Sequence, residues 1–193
     1  MYQDDRVRVY ENEAAFGRAF VVHGAMLPRP SLPALYSMYM DPFDPRTEVL
    51  LDEPPPTDAW APSAAPPVRE VGVGTPPPPA QSTAQILQYT NERIVVRVNA
   101  ERPGFLVLSD LYHPGWRARV DTAEAPVLRG DYLFRAVPVA AGEHTVELVY
   151  DPDSVRWGRV ISLGALALVV ALGMATWRAP ALLWHWRDYV RPA

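Results

Sequence analysis

The chain has 193 residues, 22 of them proline, a formal net charge of −4 and 18 arginines with no lysine. With no cysteine it can build neither a disulfide framework nor a thiolate metal site or cysteine nucleophile. The acidic balance, with no basic stripe interleaved with aromatics, excludes a nucleic-acid grip.

That length suits one domain with an ordinary core plus an anchor. Met1 to Asp5 is acidic and has none of the features of a signal peptide. Residues 1-53 read as a small β-β-α-β subdomain: strands at Arg6 to Tyr10, Ala19 to His23 and Thr47 to Leu51, and a helix through Tyr36 to Met40. Ser31 caps that helix, Pro33 sits in its first turn, and Asp41-Pro42 ends it. Four such elements are too few to bury a core, so they must pack on the sheet that follows. Residues 54-80 form a proline-rich loop or linker with no hydrophobic period, and the PxxP match at Pro76 to Pro79 is a product of composition.

The β domain is expected over residues 81-154. Ile94, Val96, Val98 and Ala100 alternate with Val95, Arg97 and Asn99, as a half-buried strand should. Phe105 to Ser109 is an unbroken apolar run, expected near a sheet centre and covered on both faces. In His113-Pro114-Gly115-Trp116 the proline has its φ fixed and the glycine can take positive φ, which predicts a type II turn. Ala141-Gly142-Glu143 supplies a second turn, read as the tip of an antiparallel hairpin between Leu133 to Val139 and His144 to Tyr150. With Gln85 to Tyr89, Trp116 to Val120 and Val127 to Arg129 the expected fold is mainly β: an antiparallel β-sandwich of about seven or eight strands with one C-terminal transmembrane helix.

Val160 to Trp177 is free of charged residues and mostly Leu, Val and Ala, long enough to span a bilayer, within an anchor expected at 155-178. Trp157 and Trp177 bracket it as interfacial anchors, with Arg178 just beyond. The tail, 179-193, carries Trp184, Trp186, Arg187 and Arg191 and reads as interfacial or cytoplasmic.

Ser109, Asp110 and His113 lie within five positions, but on a strand Ser109 and Asp110 point to opposite faces, which argues against a triad. His113 and His144 sit beside separate turns with no ligand spacing, so no metal is expected. Asp121, Asp131 and Asp151 read as turn aspartates that accept backbone hydrogen bonds two residues on. No catalytic residue and no cofactor is assigned. Tyr112, His113 and Trp116, with Asp121, are the candidate carbohydrate contacts, since an aromatic ring beside a turn can stack on a sugar face. For Trp116 the preferred reading is that it plugs the end of the sandwich.

The run LSDLYHPGWRARVD, then FRAVPVAAGEHTVELVYDPDSVRWGRVIS and an apolar helix, resembles the C-terminal end of the YfhO family of bacterial membrane proteins. VYENEAAFGRAFVV and FDPRTEVLL are similar to that family's extracytoplasmic tail. The resemblance implies a β domain outside the cytoplasmic membrane, a cytoplasmic C-terminal tail, and a role beside polyprenyl-phosphate-dependent sugar transfer to a cell-envelope glycopolymer. It implies partners in the lipid bilayer, an upstream transmembrane region of the same protein or operon, and a glycan or polyprenyl-linked sugar. The family's catalytic loops have no counterpart here, so the chain alone is expected not to be an enzyme and to be a fragment of a longer protein. The alternative is a stand-alone tail-anchored interaction module with no role in glycosylation.

Overall fold

The computed structural model describes residues 2–3, 8–9, 12, 15–28, 34–40, 42–56, 66–70, 74–75 and 77–178. They fall into two units, residues 1–150 and 151–193.

In the first unit, β1 (Tyr2–Gln3) and β2 (Arg8–Val9) pair as a short antiparallel ribbon. Then follow β3 (Ala19–Val22), β4 (Gly24–Leu27), α1 (Ala34–Met40), β5 (Glu48–Leu50) and β6 (Val68–Glu70). The longer strands come next: β7 (Thr83–Tyr89), β8 (Arg93–Ala100), β9 (Gly104–Leu108), β10 (Trp116–Val120), β11 (Ala123–Ala125), β12 (Leu128–Gly130), β13 (Phe134–Val139) and β14 (Gly142–Tyr150). Ser31, Pro33, Asp41 and Pro76 lie outside the described residues.

One antiparallel sheet has the order β11-β10-β14-β8-β7, the other β12-β13-β9-β3. The first is held by the long β8–β14 register, in which Ile94 faces Leu148 and Val96 faces Val146. Their inward residues close on Leu106, Leu108, Val137 and Val139 of the second sheet, and all are buried. Each such side chain contributes about 1.5–3 kcal/mol relative to exposure. The mainly-β reading therefore holds, as two antiparallel sheets packed face to face.

A third layer covers the outer face of the β9 sheet. β4 pairs in parallel with β5 on one side and β6 on the other. Ala25, Val49 and Leu51 pack against Val22, Phe105, Val107 and Ala136. This is why β9 is buried at every position: Leu106 and Leu108 face the sandwich core, and Phe105 and Val107 face the third layer. The expected central, doubly covered strand is found. Beyond the third layer, Met26 and Leu50 pack with Met38 of α1 and Phe43.

Four local expectations are corrected. β13 and β14 are not a hairpin, because β13 pairs with β9 and β12 while β14 pairs with β10 and β8. Their connection, with Gly142 at φ 116°, crosses between sheets. A tight turn looks the same in sequence whether it closes a hairpin or an arch; here the buried run of β13 needs cover on both faces and the alternation of β14 needs cover on one. Residues 1-53 do more than pack on the sandwich as expected, since β3 pairs with β9 as a strand of it and brings the two sheets to nine strands where seven or eight were expected. The proline-rich stretch contains β6, where the Pro67 carbonyl accepts the Ala25 N–H at 2.9 Å. Proline lacks a donor but keeps its carbonyl, so it can serve a parallel edge without any hydrophobic period.

The fourth correction concerns Gly115, which does not take positive φ, so the turn closed by Trp116 N–H to the His113 carbonyl is not type II. The Gly115 N–H donates to His113 Nδ1 at 3.0 Å, which selects the opposite orientation of the central peptide.

Glycine is required at Gly104, where a Cβ would lie 2.3 Å from the Val22 carbonyl oxygen. Buried His23 links β3 to β4 there: its Nδ1–H donates to the Pro103 carbonyl at 3.1 Å, and its Nε2 accepts from Ser82 Oγ at 2.9 Å.

In the second unit, α2 (Asp153–Arg178) is a single helix of 26 residues, about 39 Å long at 1.5 Å per residue. It exceeds the roughly 30 Å of a bilayer's hydrocarbon core. Residues 153–177 are exposed along their whole length, Trp157 and Trp177 among them. Among the described residues it is the one helix long and apolar enough to cross a membrane. The tail, 179-193, lies outside the described residues.

Candidate functional site at the arginine and aromatic end of the sandwich

β9 ends, and β10 and β13 begin, at the same end of the sandwich, because Arg135 is in register with Leu108 and Trp116 with Tyr150 at the close of β14. The loop from Ser109 to Gly115 caps this end. Arg135 holds it: its Nε donates to the Leu111 carbonyl at 3.0 Å, and its guanidinium lies over the Trp116 ring, 3.9 Å from the centroid. Such stacking is worth about 0.5–2 kcal/mol, more as it is desolvated. Arg135 is buried, and burial draws its pKa down while Asp110 and Tyr89 act against that shift. Its Nη1 and Asp110 Oδ2 are buried without a hydrogen-bond partner.

Arg18, at the entry to β3, completes the acidic side of the cluster. Its Nη1 lies 3.0 Å from Asp110 Oδ1 and donates to the Tyr89 hydroxyl at 2.7 Å, while that hydroxyl donates to Asp110 at 3.0 Å. The Tyr89 hydroxyl raises the Arg18 pKa first, and Asp110 adds to it. Tyr150 links the aromatic side, 5.4 Å from both Trp116 and His113 between ring centroids.

Trp116 is half-buried and packs on the sandwich core, so the plug describes its body. Tyr112 is also half-buried, with the Arg129 guanidinium 5.2 Å from its ring centre, and His113 and Pro114 are exposed. His113 and Trp116 are thus joined through Tyr150, while the Tyr112 ring lies against Arg129. Asp121 is not with them, because it follows the far end of β10. There it accepts the Thr145 N–H and the His144 Nδ1–H, each at 2.9 Å, which hold its carboxyl below the usual range, the His144 bond most.

Ser109, Asp110 and His113 each have partners outside their trio: the Arg18 carbonyl, then Arg18 with Tyr89, then Gly115 with Tyr150. His113 meets Tyr150 and His144 meets Asp121, near opposite ends of β14.

Sequence reasoning missed Arg18, Tyr89 and Arg135 as members of the site. Arg135 carried a usable signal, since it shares its strand face with Val137 and Val139 and so had to be buried. The Arg18–Asp110 bond spans 92 residues and has no local signature.

Neither curated proteins nor solved structures offer a match. Residues 79–162 match the family model described as "Bacterial membrane protein YfhO". The matched stretch runs from just before β7 through β14 and into α2. Over these residues, somewhat less than half of the chain, it is similar to the YfhO family of bacterial membrane proteins, a match that supports membership in that family.

Proposed function

We propose that the sandwich is a noncatalytic extracytoplasmic domain of a YfhO-like membrane protein, assisting lipid-linked sugar transfer to a cell-envelope glycopolymer. In this reading the bond-making residues belong to an upstream transmembrane region, and this domain holds the acceptor glycan or covers the cavity. The carrying observation is that one family match runs in sequence from the sandwich strands into the apolar helix. The site supports glycan contact: His113 and Pro114 are exposed and Tyr112 is half-buried, with Arg18 and Asp110 near them for hydroxyl groups, while Trp116 backs the surface beneath the Arg135 guanidinium. Asp121, paired with His144 at the other end, is outside this surface.

The test is titration of cell-envelope glycan fragments into the full chain in nanodiscs. Tyr112→Ala should weaken binding about tenfold, the loss of one good stacking contact, whereas Asp121→Asn should leave it unchanged. Equal binding by wild type and Tyr112→Ala would remove the glycan role. The exposed Leu35, Tyr36 and Tyr39 on α1 favour the alternative, a protein-interaction module. Capture of a partner that depends on Tyr39, without glycan binding, would establish that reading instead.

A further inference from the structure

At the capped end, two buried polar atoms of opposite character have no hydrogen-bond partner: Arg135 Nη1, a donor, and Asp110 Oδ2, an acceptor. Arg135 is 6% exposed and the Asp110 side chain 11%. Unpaired buried groups are costly, charged ones most of all. The other contacts of both side chains are fixed elsewhere. Arg135 Nε donates to the Leu111 carbonyl, and Asp110 Oδ1 meets Arg18 Nη1 and the Tyr89 hydroxyl, each at 3.0 Å.

The two unpaired atoms belong to one small cluster. Leu111 follows Asp110 in the chain, so the bond from Arg135 Nε to the Leu111 carbonyl brings the guanidinium toward the Asp110 carboxyl, whose charge acts on it. A direct ion pair would have satisfied both atoms, and they do not make one. The Trp116 ring against the guanidinium supplies no lone pair, because an indole N–H only donates.

A group that answers both atoms must accept one hydrogen bond and donate another. A hydroxyl does both. A carboxylate or a phosphate diester only accepts, and it would set its negative charge against Asp110 Oδ2; an ammonium only donates, and it would face the Arg135 cation. Solvent reaches neither atom, so the hydroxyl comes on a molecule that lifts the loop from Ser109 to Gly115. That loop is tied to the sheets by single bonds, from Ser109 N–H to the Arg18 carbonyl, from Tyr112 N–H to the Leu133 carbonyl and from Arg135 to the Leu111 carbonyl, and Leu111, His113 and Pro114 on it are exposed.

We infer that Arg135 and Asp110 form a hydroxyl-binding seat beneath this loop, where one neutral saccharide hydroxyl accepts from Arg135 Nη1 and donates to Asp110 Oδ2. The seat selects neutral sugars over acidic ones at that position, through two charge-assisted bonds that an acidic group cannot both make. This rests on the glycan reading of the site and adds the chemical class of glycan that it takes.

For the test, cell-envelope glycan fragments are separated by ion exchange into neutral and acidic pools and titrated into the full chain in phosphatidylcholine nanodiscs. Affinity and the NMR resonance of the Arg135 Nε–H are followed together. Wild type should bind the neutral pool about tenfold more tightly than the acidic one, with the Arg135 resonance shifting as it binds. Asp110→Asn keeps an acceptor for the Tyr89 hydroxyl and removes the like charge, so it should bring the two pools to within about twofold of each other. Equal affinity of wild type for both pools would overturn the inference, as would an Arg135 resonance that does not move or a preference unchanged in Asp110→Asn. In each of those cases, binding that still depends on Tyr112 leaves the glycan reading standing. Wild type that binds neither pool would overturn both.

Discussion

Asp121 and Asp131 are the same device placed at opposite ends of the molecule. Both adopt left-handed φ, 57° and 46°, and both accept a backbone N–H from another strand, Thr145 for Asp121 and Leu50 for Asp131. Their titrations diverge. Asp121 is half-exposed and bonded to His144, which lowers its pKa. Asp131 is half-buried near Glu48, and its desolvation raises its pKa to about 6. The third layer makes the difference. It lays β5 against the turn between β12 and β13, where Asp131 N–H donates to the Leu50 carbonyl and Asp131 Oδ1 accepts the Leu50 N–H.

The strongest way to break this contrast is to remove the cation that balances the buried acid. Glu48 is fully buried and bonded twice by Arg69, at 2.6 and 2.8 Å. Arg69→Met leaves that charge uncompensated and should cost about 3–5 kcal/mol in urea unfolding. It should also push the Asp131 pKa higher, read by the side-chain carboxyl NMR shift.

Asp131→Asn sharpens the contrast from the other side. A raised folded pKa means that the native state binds the proton more tightly than the unfolded chain. The stabilisation is therefore complete below the unfolded value near 3.8 and is lost as pH rises through about 6. Asparagine keeps the acceptor for Leu50 without the charge, so at pH 7 the variant should gain up to about 3 kcal/mol, with the slope between pH 4 and 6 flattened. An unchanged slope would show that Asp131 is solvated.

Asp121→Ala should cost about 1–2 kcal/mol, since it strands the Thr145 N–H and places alanine at a left-handed φ. Here the linkage has the opposite sign: the stabilisation is present above the unfolded value of 3.8 and is lost as pH falls through the depressed folded pKa. The variant should lose that acid-side slope in thermal melts. The smallest effect belongs to the exposed Arg93–Glu147 pair, 2.7 Å apart. Arg93→Ala should change stability by about 0.2–1 kcal/mol, erased in 1 M salt.

The legible parts of the fold were those whose packing is written in periodicity. The alternation from Ile94 to Ala100 and the solid run of Phe105 to Leu108 led directly to β8 and β9. The third layer was hidden because β6 has three residues after two prolines and is held by parallel backbone bonds and the Arg69–Glu48 pair. Both aspartates read as turn residues, and both are. Their acceptor roles point across strands and not two residues on, because that depends on which segment the tertiary fold lays beside the turn. At the site, Tyr112, His113 and Trp116 were visible through one local turn, whereas Arg18 and Tyr89 meet only through the fold, 71 residues apart.

The most direct test of the whole account is the sidedness of the sandwich. Glu143→Cys or Thr122→Cys, each the sole cysteine of the chain, is expressed from the native locus, and intact spheroplasts are treated with a membrane-impermeant maleimide. Both sites are exposed at the end away from Tyr150. Labelling of intact spheroplasts is the predicted result and puts the domain where envelope glycans are assembled. Labelling only after lysis would place the sandwich in the cytosol and contradict the proposed role.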